Sequence, residues 1–148
     1  MKRIVIATDG SEGSRRAVEA GVALACPSGA VATFAYVRNG VPLLLGDPFY
    51  SRRLSADLAK ARATVDEAMS RAAEAGVASE SEILEGDAAE EILGLARLRD
   101  ADLIVVGSRD LGRVAGAMLG SVSNAVVHNA DRPVLVVKPR AARARASG

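Results

Sequence analysis

Five short strand-like runs alternate with longer segments of helical periodicity, and this alternation limits the possible folds more than any other feature. The runs cover residues 2–8, 30–37, 79–85, 103–106 and 134–137. Most of them are apolar, as strands covered on both faces are, whereas the third, SESEILE, is polar enough to predict a sheet edge. Strands that alternate with helices specify a parallel sheet with right-handed crossovers. The sequence therefore predicts an α/β fold.

The direction of the crossovers sets the strand order. If the first two crossovers run outward from strand 1 and the later ones run the other way, the order is 3-2-1-4-5. Helices then cover both faces of an open, Rossmann-like sheet, and strands 1 and 4 are neighbours at the topological switch point. Ligands of such sheets bind in the crevice beyond the carboxyl ends of the strands. A binding site is therefore expected there.

Capping residues and breakers predict where the helices lie. The boundary residues are Ser11 or Ser14 with Pro27 and Gly29 for the first helix, Asp87 with Glu90 for the third, and Ser121 or Ser123 for the fourth. The second helix is predicted over residues 52–75, with Leu58 in its apolar stripe. The connection before it, residues 38–50, is long and apolar. It either forms a lid or packs over the sheet end.

The composition suits one domain. The chain has 148 residues, of which 49% are hydrophobic but only 3% aromatic, so the core must be built from Val, Ile, Leu and Ala. Residues 1–138 are predicted to form the domain, and residues 139–148 a disordered basic tail. A formal net charge of +1 does not indicate a polyanionic partner. We therefore expect no specific nucleic-acid contact.

Cysteine content and hydropathy favour a cytoplasmic protein. Cys26 is the only cysteine, which excludes an intrachain disulfide and suits a reducing compartment. No apolar stretch approaches the length that spans a bilayer. A soluble, cytoplasmic chain without a membrane partner is expected.

A glycine-rich stretch follows the fourth strand, from Gly107 to Gly120. Strand, glycine loop and helix N-terminus together can form an anion site, because small residues let backbone N–H groups approach phosphate oxygens. The alternative is that these glycines only form turns. Neither the dinucleotide fingerprint nor the lysine of a P-loop is present.

Asp9 places a carboxylate at the switch point. With Thr8 it follows strand 1, Val37 follows strand 2, and Gly107 follows strand 4. A carboxylate there can accept hydrogen bonds from ribose hydroxyls while loop N–H groups bind phosphates. Alternatively, Asp9 caps the first helix.

The sequence does not indicate an enzyme. Ala7 stands where phosphatases with a DGS motif carry their aspartate nucleophile. His128 is the only histidine, has no evident nucleophile partner, and is expected at the surface or an interface. Clustered metal ligands are absent from the sequence.

Several segments, in order, resemble the universal stress protein family over nearly the whole chain. They are IVIATDGSEGS, the Tyr36-Val37 pair, EGDAAEEI, VVGSRDLG, LGSVS and RPVLVV. Members that bind ATP carry a glycine, two residues, a second glycine, nine residues and then Gly-Ser or Gly-Thr. Here Gly107 is followed at the matching distance by Gly120 and Ser121.

The resemblance implies an ATP site, in which Mg²⁺ would accompany the nucleotide. Asp9 and Gly107 would hold the ribose, the Val37 backbone would meet the adenine, and the start of the fourth helix would take the phosphates. The candidate binding residues are Ala7, Thr8, Asp9, Val37, Val106, Gly107, Arg109, Asp110, Gly120, Ser121, Val122 and Ser123.

Asp110 departs from the family pattern, because it occupies the position of the second glycine. Two like charges about 4 Å apart repel by roughly 4 kcal/mol at an effective dielectric near 20. Arg109 or Arg113, a divalent cation, or rotation into water could relieve this repulsion. We expect a weakened nucleotide site. The alternative is a nucleotide-free dimeric interaction module.

The resemblance also implies a homodimer paired through the last strand, residues 134–137. An apolar edge strand is a surface that a second subunit can cover, although the tail could cover it within one chain. The expected function is that of a stress-response regulator that binds an adenine nucleotide, with slow hydrolysis at most. The long 38–50 connection and the dimer would transmit the bound state.

Overall fold

The computed structural model describes residues 1–108 and 119–139. Within them lie five strands, four α-helices and one short 3₁₀ turn. The strands are β1 (Arg3–Ala7), β2 (Val31–Arg38), β3 (Ser79–Glu85), β4 (Leu103–Gly107) and β5 (Val134–Val137). The helices are α1 (Glu12–Ser28), α2 (Phe49–Glu74), α3 (Ala88–Leu98) and α4 (Ser121–Asn129), with the 3₁₀ turn at Leu43–Leu45.

The five strands form one parallel sheet in the order β3-β2-β1-β4-β5, which confirms the predicted order. Ile4 of β1 is paired with Ala32 of β2 on one side and with Leu103 of β4 on the other. β1 is therefore the central strand, and its carboxyl end lies beside that of β4. This is the switch point that the sequence predicts.

Helices pack on both faces of the sheet. Ile4 and Ile6 point into a core formed with α1 and α2, while Val5 points into a second core formed with α3 and α4. All three β1 side chains are fully buried. Alternating apolar residues on a doubly covered strand thus stabilise both layers at once.

The two edges of the sheet differ in chemistry. The polar strand β3 lies at one edge, as predicted, and its Glu80 and Glu82 form ion pairs with Arg99. At the other edge, the four apolar residues of β5 are each only partly buried. Charged side chains oppose strand addition at an edge, so β5 is the less protected of the two.

Helix α1 extends slightly further than the sequence predicts. It continues through Pro27 to Ser28 and ends at Gly29, so Gly29 stops the helix and Pro27 does not. In the last turn proline removes only one backbone donor, which the helix end tolerates. Leu24, on the predicted apolar face, is exposed.

Helix α2 begins three residues earlier than predicted and reaches beyond the sheet. At 1.5 Å per residue its 26 residues extend about 39 Å, whereas the eight residues of β2 extend about 26 Å. Leu58 is consequently exposed, although the stripe predicted it buried. The preceding Leu44 is 100% exposed, so the alternative in which this segment packs over the sheet end is wrong for its leucines.

None of the helices in residues 1–108 and 119–139 has the length and apolarity needed to cross a bilayer. From residue 140 onward the predicted tail lies outside the described residues, and its disorder stays a prediction.

Candidate functional site

A cleft of about 350 Å³ opens where β1, β2 and β4 end and α1, α3 and α4 begin. Its volume lies in the range of roughly 300–1,000 Å³ that is typical of small-molecule sites. Ten predicted site residues line it: Ala7, Thr8, Asp9, Val37, Val106, Gly107, Gly120, Ser121, Val122 and Ser123. Arg109 and Asp110 lie outside the described residues. The fold therefore gathers the described candidates at one place, while their contact with a ligand stays a prediction.

Asp9 is positioned by the turn between β1 and α1. Its Oδ1 accepts a hydrogen bond from the Ser11 N–H at 2.9 Å, and its own N–H donates to Ser14 Oγ at 3.2 Å. Gly10 follows with φ +84°, a backbone conformation that glycine adopts readily. Ser11, not Asp9, is the N-cap of α1, because the Ser11 side chain accepts from the Ser14 N–H. The Asp9 carboxylate is thus held beside the cleft without capping the helix.

Hydrogen bonding from Ser11 to the carboxylate keeps Asp9 ionised. Partial desolvation raises the pKa of the carboxyl, but hydrogen bonding from Ser11 outweighs it and lowers the pKa below the ordinary value of 3.8. Asp9 is the only charged residue among the described residues that line the cleft. At neutral pH this wall therefore presents a fixed negative charge.

Gly107 is required by packing within the protein. A Cβ on Gly107 would lie 2.6 Å from the Gly13 carbonyl carbon and 3.2 Å from the Ser14 nitrogen. A Cβ on Gly13 would lie 2.7 Å from the Ser108 carbonyl oxygen. The first turn of α1 thus packs backbone against backbone on the end of β4. This contact sets how closely Asp9 and the end of β4 approach each other.

The N-terminus of α4 forms the opposite side of the cleft. Its N-cap is Gly120, which provides no side-chain acceptor, and the first intrahelical bond comes from the Asn124 N–H at 2.9 Å. The N–H groups of Ser121, Val122 and Ser123 are therefore not used within the helix. The Ser123 hydroxyl donates to the Gly120 carbonyl at 3.2 Å, which leaves its lone pairs as the free hydrogen-bonding capacity. The helix end offers backbone donors and partial positive charge to an anion.

Comparison of the sequence with models of known protein families assigns the chain to one of them. The sequence model of the universal stress protein family matches residues 1–138. The chain belongs to the universal stress protein family.

Individual members of the family agree in sequence and fold. The Thermus aquaticus "Universal stress protein in QAH/OAS sulfhydrylase 3'region" is 41% identical over 138 residues, which cover 93% of this chain and 98% of that protein. A solved universal stress protein from Burkholderia pseudomallei is 29% identical, with a TM-score of 0.76, over 92% of this chain and 95% of that chain. A universal stress protein solved in complex with cAMP is 33% identical, with a TM-score of 0.66, over 92% and 95% of the two chains.

Sequence reasoning missed several residues that line the cleft of this universal stress protein. They are Ser11, Ser14, Ala35, Ala88, Ile92 and Ser108. Ala88 and Ile92 belong to α3, which follows β3 and begins, at the predicted Asp87 cap, on the side of the sheet where the strands end. Ser14 could have been found from its place in the first turn after a strand. Ala35 could not, because nothing local distinguishes it from the rest of β2.

The described residues, 1–108 and 119–139, contain no group of three or more His, Cys, Asp or Glu side chains that could hold a metal ion. His128 is exposed on α4, as predicted. In this universal stress protein, the described part of the cleft thus combines one carboxylate, small residues and backbone donors.

Proposed function

We propose that this universal stress protein binds ATP or a related adenine nucleotide in the cleft and acts as a stress-response regulator. One observation carries the proposal: an ionised carboxylate and a helix N-terminus whose cap residue, Gly120, has no side-chain acceptor face a single cleft of nucleotide size. The universal stress protein that is 33% identical and was solved with cAMP supports an adenine nucleotide as the ligand class. We assign the protein to the cytoplasm on its cysteine content.

The proposed placement matches each part of the nucleotide to its chemistry. The ribose lies at Asp9 and Gly107, where the carboxylate accepts from sugar hydroxyls, next to Ala7 and Thr8. The adenine lies against the Val37 backbone, between the apolar walls of Val106 and Val122. The phosphates lie at Gly120, Ser121 and Ser123, where the α4 N–H groups donate to anionic oxygens. Mg²⁺ would accompany ATP through its phosphate oxygens.

The proposed role is binding rather than catalysis. Phosphoryl transfer requires cations and a positioned base around the γ-phosphate. Among the described residues that line the cleft there is no lysine, arginine or histidine. We therefore expect ATP hydrolysis to be slow if it occurs.

Calorimetric titration with AMP, and with ATP in the presence and absence of Mg²⁺, tests the proposal. Asp9→Asn should weaken binding about 10- to 100-fold, since hydrogen bonds to a charged group contribute roughly 1.5–3 kcal/mol. Asp102→Asn is the matched control, because Asp102 accepts N–H groups at the opposite end of β1 and should leave the affinity unchanged. Absence of heat and of thermal stabilisation at millimolar nucleotide would disprove the proposal.

A nucleotide-free interaction module is the second candidate, and the carboxylate at sequence position 110 favours it. If this charge opposes the phosphates, Asp110→Gly should tighten AMP and ATP binding, and more so for ATP, which carries more negative charge. Asp110→Asn separates charge from backbone flexibility. Binding that is absent in the wild type and restored in Asp110→Gly would exclude the nucleotide role for the natural chain and favour the interaction module.

We further propose that the protein forms a homodimer through β5. Ile104 N–H donates to Pro133 and Ser108 N–H donates to Val137, so the backbone groups of Val134 and Val136 point away from β4. The edge is apolar and carries no charged side chain between Val134 and Val137. Val136→Pro removes one outward donor and should shift the protein to monomers in analytical ultracentrifugation. Val136→Ala keeps the donor and should remain dimeric; a wild type that is monomeric at all concentrations contradicts the proposal.

A further inference from the structure

Ser14 is a polar residue of the cleft wall that the proposed placement does not use. It lies in the first turn of α1 and is 7% exposed. Its hydroxyl has three polar neighbours: the Asp9 nitrogen at 3.2 Å, the Ser11 carbonyl oxygen at 3.0 Å and Thr8 Oγ1 at 3.3 Å. A serine hydroxyl has one proton to donate and two lone pairs that accept. These three contacts use its full capacity.

Counting protons sets the direction of each bond. A carbonyl oxygen only accepts, so Ser14 donates its proton to Ser11. A backbone N–H only donates, so Asp9 occupies one lone pair of Ser14. The contact with Thr8 can then be made only if Thr8 donates into the second lone pair. The chain of hydrogen bonds runs from Thr8 through Ser14 to the Ser11 carbonyl.

This direction decides what Thr8 offers to the cleft. Thr8 is 5% exposed, and its backbone N–H donates to the Ala35 carbonyl at 2.9 Å. With its hydroxyl proton committed to Ser14, Thr8 Oγ1 has only lone pairs left, and the neighbouring Asp9 carboxylate also only accepts. This side of the cleft therefore consists of two adjacent acceptors. It pairs with ligand O–H or N–H groups and repels a phosphate, which has no proton to donate at neutral pH.

We propose that Ser14 is a positioning residue for ligand specificity: it holds Thr8 as an acceptor, so that the wall between β1 and α1 selects a ligand that presents hydroxyl donors, such as the two hydroxyls of a ribose. The inference deepens the proposed function and rests on it. Ser14→Ala frees the Thr8 proton, and Thr8 can then donate as well as accept. In this variant, the preference of the cleft for a ligand with hydroxyl donors should weaken, although the Thr8 and Asp9 side chains are still present.

The test compares AMP with 2′,3′-dideoxyadenosine monophosphate, which lacks both sugar hydroxyls. Wild-type protein should prefer AMP by tenfold or more, on the order of one strong or two ordinary hydrogen bonds. Ser14→Ala should reduce this preference by about threefold to tenfold, and Thr8→Val by a similar factor. Thr8→Ser, which keeps the hydroxyl, should restore it. Ser28→Ala, at the far end of the same helix, is the control with unchanged preference.

The outcomes distinguish a failure of this inference from a failure of the proposed function. If the wild type binds neither nucleotide, the proposed function fails and the inference fails with it. If the wild type prefers AMP and either folded Ser14→Ala or Thr8→Val retains the full preference, only the inference is overturned. Thr8→Val also decides the question should Ser14→Ala fail to fold, because it leaves the Ser14 bonds to Ser11 and Asp9 in place. A purely structural role of Ser14 would lower the melting temperature and leave the ratio of the two affinities unchanged.

Discussion

The N-termini of α1 and α4 point at the same cleft, but their chemistry differs. At α1, the Ser11 side chain accepts from the Ser14 N–H at 3.2 Å, and the first turn packs directly on the end of β4. At α4, Gly120 provides no side-chain acceptor for the N–H groups of the first turn. Among the described residues, a side chain of the protein therefore caps the start of α1, whereas the cap residue of α4 has no side chain that could do so.

This difference concerns a property that the starts of all α-helices share. Every α-helix begins with N–H groups that lack an intrahelical acceptor. The α1 end, like the α3 end with its Asp87 cap, uses a side chain of the protein to satisfy them. Where glycine stands at the cap position, a bound anion can take the place of that side chain. The identity of the cap residue therefore distinguishes a structural helix end from a candidate binding end.

The largest effect is expected from disturbing the contact that positions α1. Gly107→Ala places a methyl group against the Gly13 carbonyl and should destabilise the protein by about 1–3 kcal/mol, because backbone must move to accommodate it. Gly94→Ala is the control: a Cβ there meets nothing within 4 Å, so the free energy of unfolding should rise by about 0.5–1 kcal/mol. Urea denaturation measures both. Equal stability of Gly107→Ala and wild type would refute the packing role.

Removing the α1 cap should have a smaller effect. Ser11→Ala should lower the free energy of unfolding by about 1 kcal/mol, since the Ser14 N–H loses its side-chain acceptor. Nucleotide affinity should fall less than in Asp9→Asn, because the variant loses the hydrogen bonding of the Ser11 side chain but keeps the Ser11 backbone N–H that donates to the Asp9 carboxylate. Ser55→Ala on the exposed side of α2 should leave stability unchanged or slightly higher. A loss of affinity larger than the loss of stability would show that the cap itself belongs to the site.

Adding a side-chain cap to α4 should make its N-terminus more stable and a weaker binding site. The Gly120 backbone, with φ −70° and ψ 169°, is open to non-glycine residues. Gly120→Asp should stabilise α4 by a few tenths of a kcal/mol, or about 1 kcal/mol with the helix dipole. It should also weaken AMP binding, because its carboxylate takes the N–H groups and repels phosphate. Gly120→Asn adds a cap without charge, so its affinity for AMP should lie between those of Gly120→Asp and the wild type. If both variants bind AMP as tightly as the wild type, the phosphate lies elsewhere.

The smallest expected effect is the pH dependence of Asp9. The pKa of Asp9 is lower in the folded protein than in the unfolded chain, where it is about 3.9. The ionised carboxylate therefore stabilises the fold at pH values above the unfolded pKa. This contribution is lost as the pH falls through the pKa of the folded protein. Above about pH 5, wild type should be more stable than Asp9→Asn by a constant amount. Below about pH 4 the difference should shrink. A difference that grows on acidification would mean that the Asp9 pKa is raised instead.

The sequence supports a correct prediction wherever the signal is local or periodic. The polar strand β3 at the sheet edge and the Asp87 cap of α3 are both predicted and observed, because each depends on a few neighbouring residues. The long helix α2 is predicted but its apolar stripe is overextended. Leu58 has the correct spacing for burial, yet it is exposed, and Ala61, one turn later, already packs on Tyr36 and Ile83 near the ends of β2 and β3. Periodicity reports which face of a helix is apolar and does not report how far the partner surface extends.

The chain's sequence by itself determined the α/β class, the strand order and the convergence of Asp9, Gly107 and Gly120, because alternating elements of fixed handedness leave few topologies. Only the tertiary structure decided what the neighbours of those residues are. Gly107 faces the Gly13 backbone, about 90 residues away along the chain. Ser14 forms hydrogen bonds with Thr8 and Asp9 across a single turn. Distances of a few ångströms depend on how helices pack on the sheet, and no residue pattern encodes them locally.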